Sequence, residues 1–168
     1  VLGDVLPEIP EDAPNQEVKP LSNQAEHMID YIPEGGSWKD VPYDELPDRF
    51  QKIKDNMKKY KSPNMYRRYS FDEPNGTITA SATPENCGIL HPKEDRRYSV
   101  REVAAIQSFP HDFEFKGSIS QQYEQIGNAV PPKLAEIIAE KMKEFLNKSE
   151  EEKKKTSIHG WMELAAQE

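Results

Sequence analysis

The chain has 168 residues with one cysteine and a formal net charge of −8, and 35% of its residues are hydrophobic. This length and composition predict one domain with a modest core, and a lone cysteine excludes an internal disulfide. Because no apolar run approaches membrane-spanning length and the first residues lack a basic-then-apolar pattern, we expect neither a membrane span nor a signal peptide.

The charge is distributed unevenly along the chain. Residues 1–48 contain 2 basic and 12 acidic side chains, residues 49–101 contain 12 and 6, and residues 102–168 contain 8 and 12. A basic middle region favours phosphate binding, because local Lys and Arg density matters more than total charge. The alternative is a lysine-rich helix face that contacts only water, and composition alone favours that alternative.

The first 20 residues are acidic and rich in proline, so we expect an irregular lead-in. Ser22 is then the predicted N-cap of a short helix that ends at Pro33 and the Glu34-Gly35-Gly36 turn. The side chains predicted to face inward from this segment are Ala25, Met28, Ile29 and Ile32.

The clearest amphipathic pattern predicts a helix over residues 44–61. Its apolar positions recur alternately four and three residues apart, at Leu46, Phe50, Ile53, Met57 and Tyr60. Lysines occupy the remaining faces, where they either solubilise the helix or approach phosphate.

From Ser62 the pattern becomes extended. Residues 65–71 alternate aromatic and polar side chains, residues 72–76 have a turn composition, and residues 77–80 are β-branched and short. These features predict a hairpin-like pair of short strands. With the helices that follow, the predicted fold class is α+β.

Residues 81–95 are predicted to form a loop that contains Cys87 and His91. A reactive thiolate needs a helix N-terminus or a cationic neighbour, and a structural zinc site needs four ligands. A small thiol enzyme or metal protein is therefore an alternative function that this spacing disfavours, and we expect no metal site.

Two capping boxes predict two buried helices. Ser99 and Glu102 have the Ser-x-x-Glu spacing, in which each side chain satisfies the other's free backbone N–H, and Pro110 prevents continuation. Ser118 and Gln121 repeat the arrangement.

The second of these helices is predicted to end at Gly127, as a left-handed stop. Pro131 or Pro132 is then expected to open a last amphipathic helix that runs to about Asn147.

Two sequence motifs in this region resemble the last two conserved motifs of the DNA (cytosine-5) methyltransferases. Residues 101–110 read Arg-Glu-x-Ala-x-x-Gln-x-Phe-Pro, and residues 125–131 read Gln-Ile-Gly-Asn-Ala-Val-Pro, in the family's order. Residues 32–38, Ile-Pro-x-Gly-Gly-x-Trp, are similar to a segment of many bacterial members.

The resemblance implies a small irregular recognition lobe with short strands, followed by C-terminal helices that pack on a missing cofactor domain. It divides the chain into a target-recognition region (1–95, variable part about 43–66), conserved C-terminal helices (96–147), and a charged linker with a short tail helix (148–168).

The resemblance also implies roles for individual residues. By position, Thr77 faces the DNA backbone beside an extruded nucleotide, and the junction Asn128, Ala129 and Val130 meets S-adenosylmethionine. The phosphate contacts that we expect come from Arg67, Arg68, Arg96 and Arg97. For each of Arg67 and Arg68 the alternative is cross-strand pairing or a surface carboxylate partner.

Cytosine methylation in this family needs a cysteine thiolate that adds to C6, a glutamate at N3 and a flipped base. This sequence has no Pro-Cys pair and no glycine-rich turn for the methyl donor. We therefore expect this chain alone to be inactive, as a fragment or as the smaller subunit of a split restriction–modification enzyme. Its expected partners are double-stranded DNA and the catalytic half, in the cytoplasm near the nucleoid. The alternative is a DNA-binding or regulatory module without catalysis.

Overall fold

The computed structural model describes residues 1–56, 65–84 and 87–148. The chain divides into two compact units, Val1–Ala129 and Val130–Glu168. In the first unit the described helices are α1 (Leu2–Val5), α2 (Asn23–Ile29), α3 (Asp48–Asp55), α4 (Val100–Ile106) and α5 (Ile119–Asn128). Single 3-10 turns form at Leu6–Glu8, Trp38–Asp40 and Tyr43–Glu45. The second unit contains α6 (Pro132–Leu146).

The prediction of an α+β fold with short strands is wrong, because the described residues are helical and form no strand. Arg68 bridges Leu90 at one position, and Leu90 bridges Arg97 at another, without extending into a ladder. Tyr66 has a φ of 50°, which interrupts the extended backbone that the alternation predicted. Alternating side chains fit any extended segment with one buried face, whereas a strand also needs a partner in matched register.

The capped helix α2 is confirmed. The Ser22 hydroxyl oxygen accepts a hydrogen bond from the Ala25 N–H at 3.3 Å, which satisfies a free donor of the first turn. The predicted inward side chains are all buried: Ala25, Met28, Ile29 and Ile32.

The predicted helix over 44–61 begins later than its apolar pattern suggested. Residues 43–45 form a 3-10 turn, and α3 starts at Asp48 with Pro47 as its N-cap. Proline lacks an N–H and disfavours helical backbone in the residue before it, so the helix starts after Pro47. Leu46 and Phe50 are buried as predicted. Met57 and Tyr60 lie outside the described residues.

Both capping boxes are confirmed. Ser99 and Glu102 open α4, with the Ser99 N–H donating to Glu102 Oε2 at 2.6 Å. Ser118 and Gln121 open α5 in the same way. The predicted stop at Gly127 is wrong, because α5 continues through Asn128.

The first unit contains two groups of buried side chains. One joins α4 and α5 to the segment around Ile78, and includes Tyr98, Val103, Tyr123 and Ile126. The other collects α2 and α3 around Trp38, whose ring lies 5.3 Å from that of Phe50, centroid to centroid. Across the described residues, none of the helices combines the length and apolar character that crossing a bilayer requires.

Candidate functional site

Arg101, in the first turn of α4, holds two distant loops in place. Its side chain is fully buried, and its Nε donates to the Pro14 carbonyl at 2.8 Å. The same guanidinium donates to the carbonyls of Pro110, at 3.0 Å, and of Phe113. Asn15, next to Pro14, has a φ of 65° and donates through Nδ2 to the Phe115 carbonyl. Arg101 therefore positions α4 and is not available to a ligand.

Arg96 lies in a charged network beside α4. Its guanidinium makes a bidentate pair with Glu102, at 2.7 and 2.8 Å, and a further pair with Glu94 at 2.7 Å. Hydrogen bonding to Glu102 and Glu94 raises the pKa of Arg96, and hydrogen bonding from Arg96 lowers the pKa of Glu94. The predicted phosphate ligand Arg96 is thus paired within the chain.

His91 lies against this network and is buried. Its Nδ1 accepts backbone N–H bonds from Glu94 at 3.0 Å and from Lys93 at 3.3 Å. Burial, with Arg96 nearby, lowers the pKa of His91, although the carboxylates of Glu94 and Glu102 oppose the shift. The neutral imidazole therefore suits this position, because protonating Nδ1 would direct an N–H at two other donors.

The other predicted phosphate ligands also have partners within the chain. Arg68 is 4% exposed and pairs with Asp95 at 2.6 Å. Arg67 is half-buried, pairs with Glu73 at 3.0 Å, and donates to the Gly35 carbonyl. The structure therefore places a carboxylate beside the guanidinium of both Arg67 and Arg68, which was the alternative to phosphate binding.

Arg97 is buried and lies across the face of an aromatic ring. Its guanidinium carbon is 4.8 Å from the centre of the Tyr123 ring, and its Nη2 donates to the Ala82 carbonyl. The Tyr123 hydroxyl donates to the Tyr98 carbonyl at 2.6 Å. Arg97 therefore joins α5 to the loop at residue 82.

Thr77 is the one member of the five predicted DNA contacts whose side chain is exposed. The next residue, Ile78, is 6% exposed and anchors the segment in the core. Thr79 is half-buried, and its hydroxyl lies 3.6 Å from the Cys87 sulfur. The segment therefore presents Thr77 outward from a fixed base.

The side chain of Tyr69 packs against two glycines, Gly76 and Gly88. A Cβ on Gly76 would lie 2.2 Å from the Tyr69 hydroxyl oxygen, and one on Gly88 would lie 2.3 Å from its ring. Arg67 covers the same ring at 5.0 Å. We did not predict this packing, since neither glycine has a sequence signal beyond a turn.

The Cys87 and His91 alternative gains no support from the geometry. Cys87 is buried, and its sulfur lies 3.6 Å from the Thr83 carbonyl oxygen. The Nε2 atom of His91 instead lies near the carboxylates of Glu94 and Glu102, at 3.6 and 3.8 Å. Within the described residues, no group of three or more His, Cys, Asp or Glu side chains is placed to hold a metal ion.

A shallow polar groove runs along the exposed face of α5 to Asn128. Its helical members are Gln121, Glu124, Gln125 and Asn128, and Lys116 and Gly117 complete it. Asn128 is exposed and Ala129 is half-buried at the end of the first unit. Val130, which begins the second unit, is 61% exposed. The spacing of three and four residues would have revealed this face from the sequence.

Comparison with known proteins decides the family. The profile of the C-5 cytosine-specific DNA methylases matches residues 2–144 of this chain.

The chain belongs to this family.

Three type II methyltransferases illustrate the similarity. M.Sau96I of Staphylococcus aureus is 40% identical over 139 residues, which cover 80% of this chain and 31% of that protein. M.PspPI of Psychrobacter sp. (strain TA137) is 37% identical over 141 residues, covering 81% and 32%. M.Eco47II of Escherichia coli is 34% identical over 137 residues, covering 82% and 32%. The chain thus spans about a third of the length of these curated relatives.

These findings confirm the predicted DNA methylase family. The description of the family names C5 of cytosine in DNA as the position that its members methylate. The exposed carboxamide of Asn128, next to the small side chain of Ala129, leaves room for a polar ligand to approach.

Proposed function

We propose that this chain supplies DNA recognition and closure of the cofactor site in a DNA (cytosine-5) methyltransferase. The enzyme would methylate C5 of a flipped cytosine, as part of a bacterial restriction–modification system in the cytoplasm. The catalytic half would come from the same longer polypeptide or from a separate subunit.

The observation that carries this proposal is the family match over residues 2–144, combined with the state of the only cysteine in the sequence. Cys87 is buried and follows Asn86, not proline. The nucleophile that adds to cytosine C6 must be accessible as a thiolate. We therefore assign the nucleophile to residues outside this sequence, and expect no methyl transfer by this chain alone.

For DNA binding, we propose two kinds of role within residues 1–95 and just beyond. Thr77 contacts the DNA backbone directly, because its side chain is exposed on an anchored segment. Arg67 and Arg96, each about a quarter exposed, reach phosphate from the outer side of their ion pairs. Arg68 and Arg97 are buried, so we assign them to holding this surface in shape.

For the cofactor, we propose that Asn128 hydrogen-bonds a polar group of S-adenosylmethionine. Ala129 and Val130 would give backbone or apolar contact beside it. When bound, the cofactor supplies an electrophilic methyl group. The contribution of this chain is to orient the donor and to exclude water from one side.

DNA binding by the full 168-residue chain tests the recognition role. We expect binding to duplex DNA that weakens as salt rises, because phosphate contacts release counterions. Thr77→Val removes one hydroxyl and should weaken binding by about fivefold, the value of one hydrogen bond. Ser120→Ala removes an exposed hydroxyl from α5 and serves as the matched control.

Two results would contradict the proposal or replace it. Absence of duplex binding would contradict the recognition role. Binding without any methyl transfer after addition of the catalytic half would instead support a DNA-binding or regulatory module that lacks catalysis.

A further inference from the structure

The last turn of α5 lies directly on the backbone of residues 79–80. A Cβ on Gly127 would be 2.5 Å from the Thr79 carbonyl oxygen, and 2.6 Å from both N and Cα of Ala80. Non-bonded carbon atoms do not approach main-chain atoms so closely in a packed interior. A side chain at 127 would therefore force one of the two backbones to move.

Gly127 is not needed for its conformational freedom. The helix is continuous through Asn128, and the described glycines with positive φ are Gly35 and Gly117. Inside a helix, alanine is normally more favourable than glycine. The advantage of Gly127 is thus the close contact and not the backbone geometry.

Short stretches of chain lead from this contact to both proposed ligand sites. Thr77 is two residues before Thr79, and buried Ile78 ties it to the same core. Asn128 directly follows Gly127. Tyr69 packs closely against Gly76, which directly precedes Thr77.

We propose that Gly127 is a positioning residue that sets the Thr77 segment relative to the Asn128–Ala129 junction. The role assigned to each end rests on the proposed function, whereas the contact itself does not. The position of the segment that contacts the DNA backbone is then coupled to the position of the residues beside the cofactor, because the two segments meet at this one backbone-to-backbone contact.

Hydrogen exchange tests the contact without any ligand. The Ala82 N–H donates to the Thr79 carbonyl at 3.0 Å, so its exchange reports on the segment. In Gly127→Ala we expect the Ala82 amide to exchange faster by roughly an order of magnitude, with the α4 amides unchanged. Ser120→Ala is the control on the same helix. If Gly127→Ala does not fold, Gly127→Ala with Ala80→Gly replaces it, since glycine at 80 lets the segment move aside.

A double-mutant cycle on DNA affinity tests the coupling. Gly127→Ala should weaken duplex binding in the wild-type background and add nothing in the Thr77→Val background. An unchanged Ala82 amide, or an equal loss of affinity in both backgrounds, would overturn the proposal. Faster exchange at Ala82 with no effect of Thr77→Val on affinity would uphold the contact and refute the proposed DNA role of Thr77.

Discussion

Arg101 illustrates how much of this structure depends on single side chains. Its guanidinium donates to the carbonyls of residues 14, 110 and 113, which belong to two loops that are far apart in sequence. Each of these carbonyls accepts a hydrogen bond from a charged donor, which contributes more than a neutral hydrogen bond does. The loops around α4 therefore depend on one arginine.

We predict that Arg101→Met lowers the free energy of unfolding by about 3 kcal/mol or more, because the carbonyls of three loop residues lose a charged, buried donor. Urea denaturation of the full chain measures this loss. Arg49→Met makes the same substitution at an exposed position and should change stability by no more than about 0.5 kcal/mol. Equal effects of the two substitutions would contradict the role of Arg101.

His91 predicts a dependence of stability on pH. Burial and Arg96 lower its pKa in the folded chain, whereas the unfolded value is about 6.5. The unfolded chain then binds more protons, so this stability is present above pH 6.5 and is lost as the pH falls through the folded pKa.

The variant His91→Asn tests this pH dependence, since an amide oxygen can still accept the N–H bonds of Lys93 and Glu94. Thermal unfolding between pH 7 and pH 5 should show a smaller decrease in Tm for the variant than for the wild-type chain. An identical decrease in both chains would show that His91 does not cause it.

At the scale of helices, the two capping boxes differ in exposure. Ser99 is buried and Ser118 is exposed, so water can replace only the second hydroxyl. We expect Ser99→Ala to destabilise the chain by about 1–2 kcal/mol and Ser118→Ala by about 0.5 kcal/mol. Chemical denaturation gives both values, and Ser118→Asp should restore the exposed cap. A larger loss at Ser118 than at Ser99 would contradict this order.

The starts of α2, α4 and α5 were predictable because their serine capping signals are local. The Ser99 and Ser118 boxes join residues three apart, and the sequence contains both partners. The predicted hairpin is wrong for a reason that the sequence does not show. Arg68 forms an isolated bridge with Leu90, and the Arg68 N–H donates to the Gly36 carbonyl at 3.0 Å. Only the folded chain brings these residues together.

The candidate site likewise combines features that the sequence could predict with features that only the fold determines. Exposure of Thr77 and Asn128 agrees with an outward-facing role, and alternation with buried Ile78 is visible in the sequence. A carboxylate partner was only an open alternative for Arg68, and its identity as Asp95, 27 residues along the chain, could not be predicted. The pairing of Arg96 with Glu102 was not predicted, although the two residues are only six apart. A basic sequence region therefore does not by itself give a basic surface.

At the scale of the whole molecule, α6 presents an apolar face to solvent. Its large side chains are 39% to 67% exposed: Leu134, Ile137, Ile138, Met142, Phe145 and Leu146. A contiguous apolar face of this kind marks a docking surface. We propose that the catalytic half covers it, as expected for the last helix of this family.

Methyl transfer from labelled S-adenosylmethionine to duplex DNA tests the central claim most directly. The assay compares this chain, the catalytic half that carries the Pro-Cys nucleophile, and the two together. We predict transfer only with both, reduced by Ile138→Glu on the apolar face of α6 and unchanged by Glu140→Gln on its polar face. Transfer by this chain alone, or the same rate from the catalytic half without it, would contradict the account.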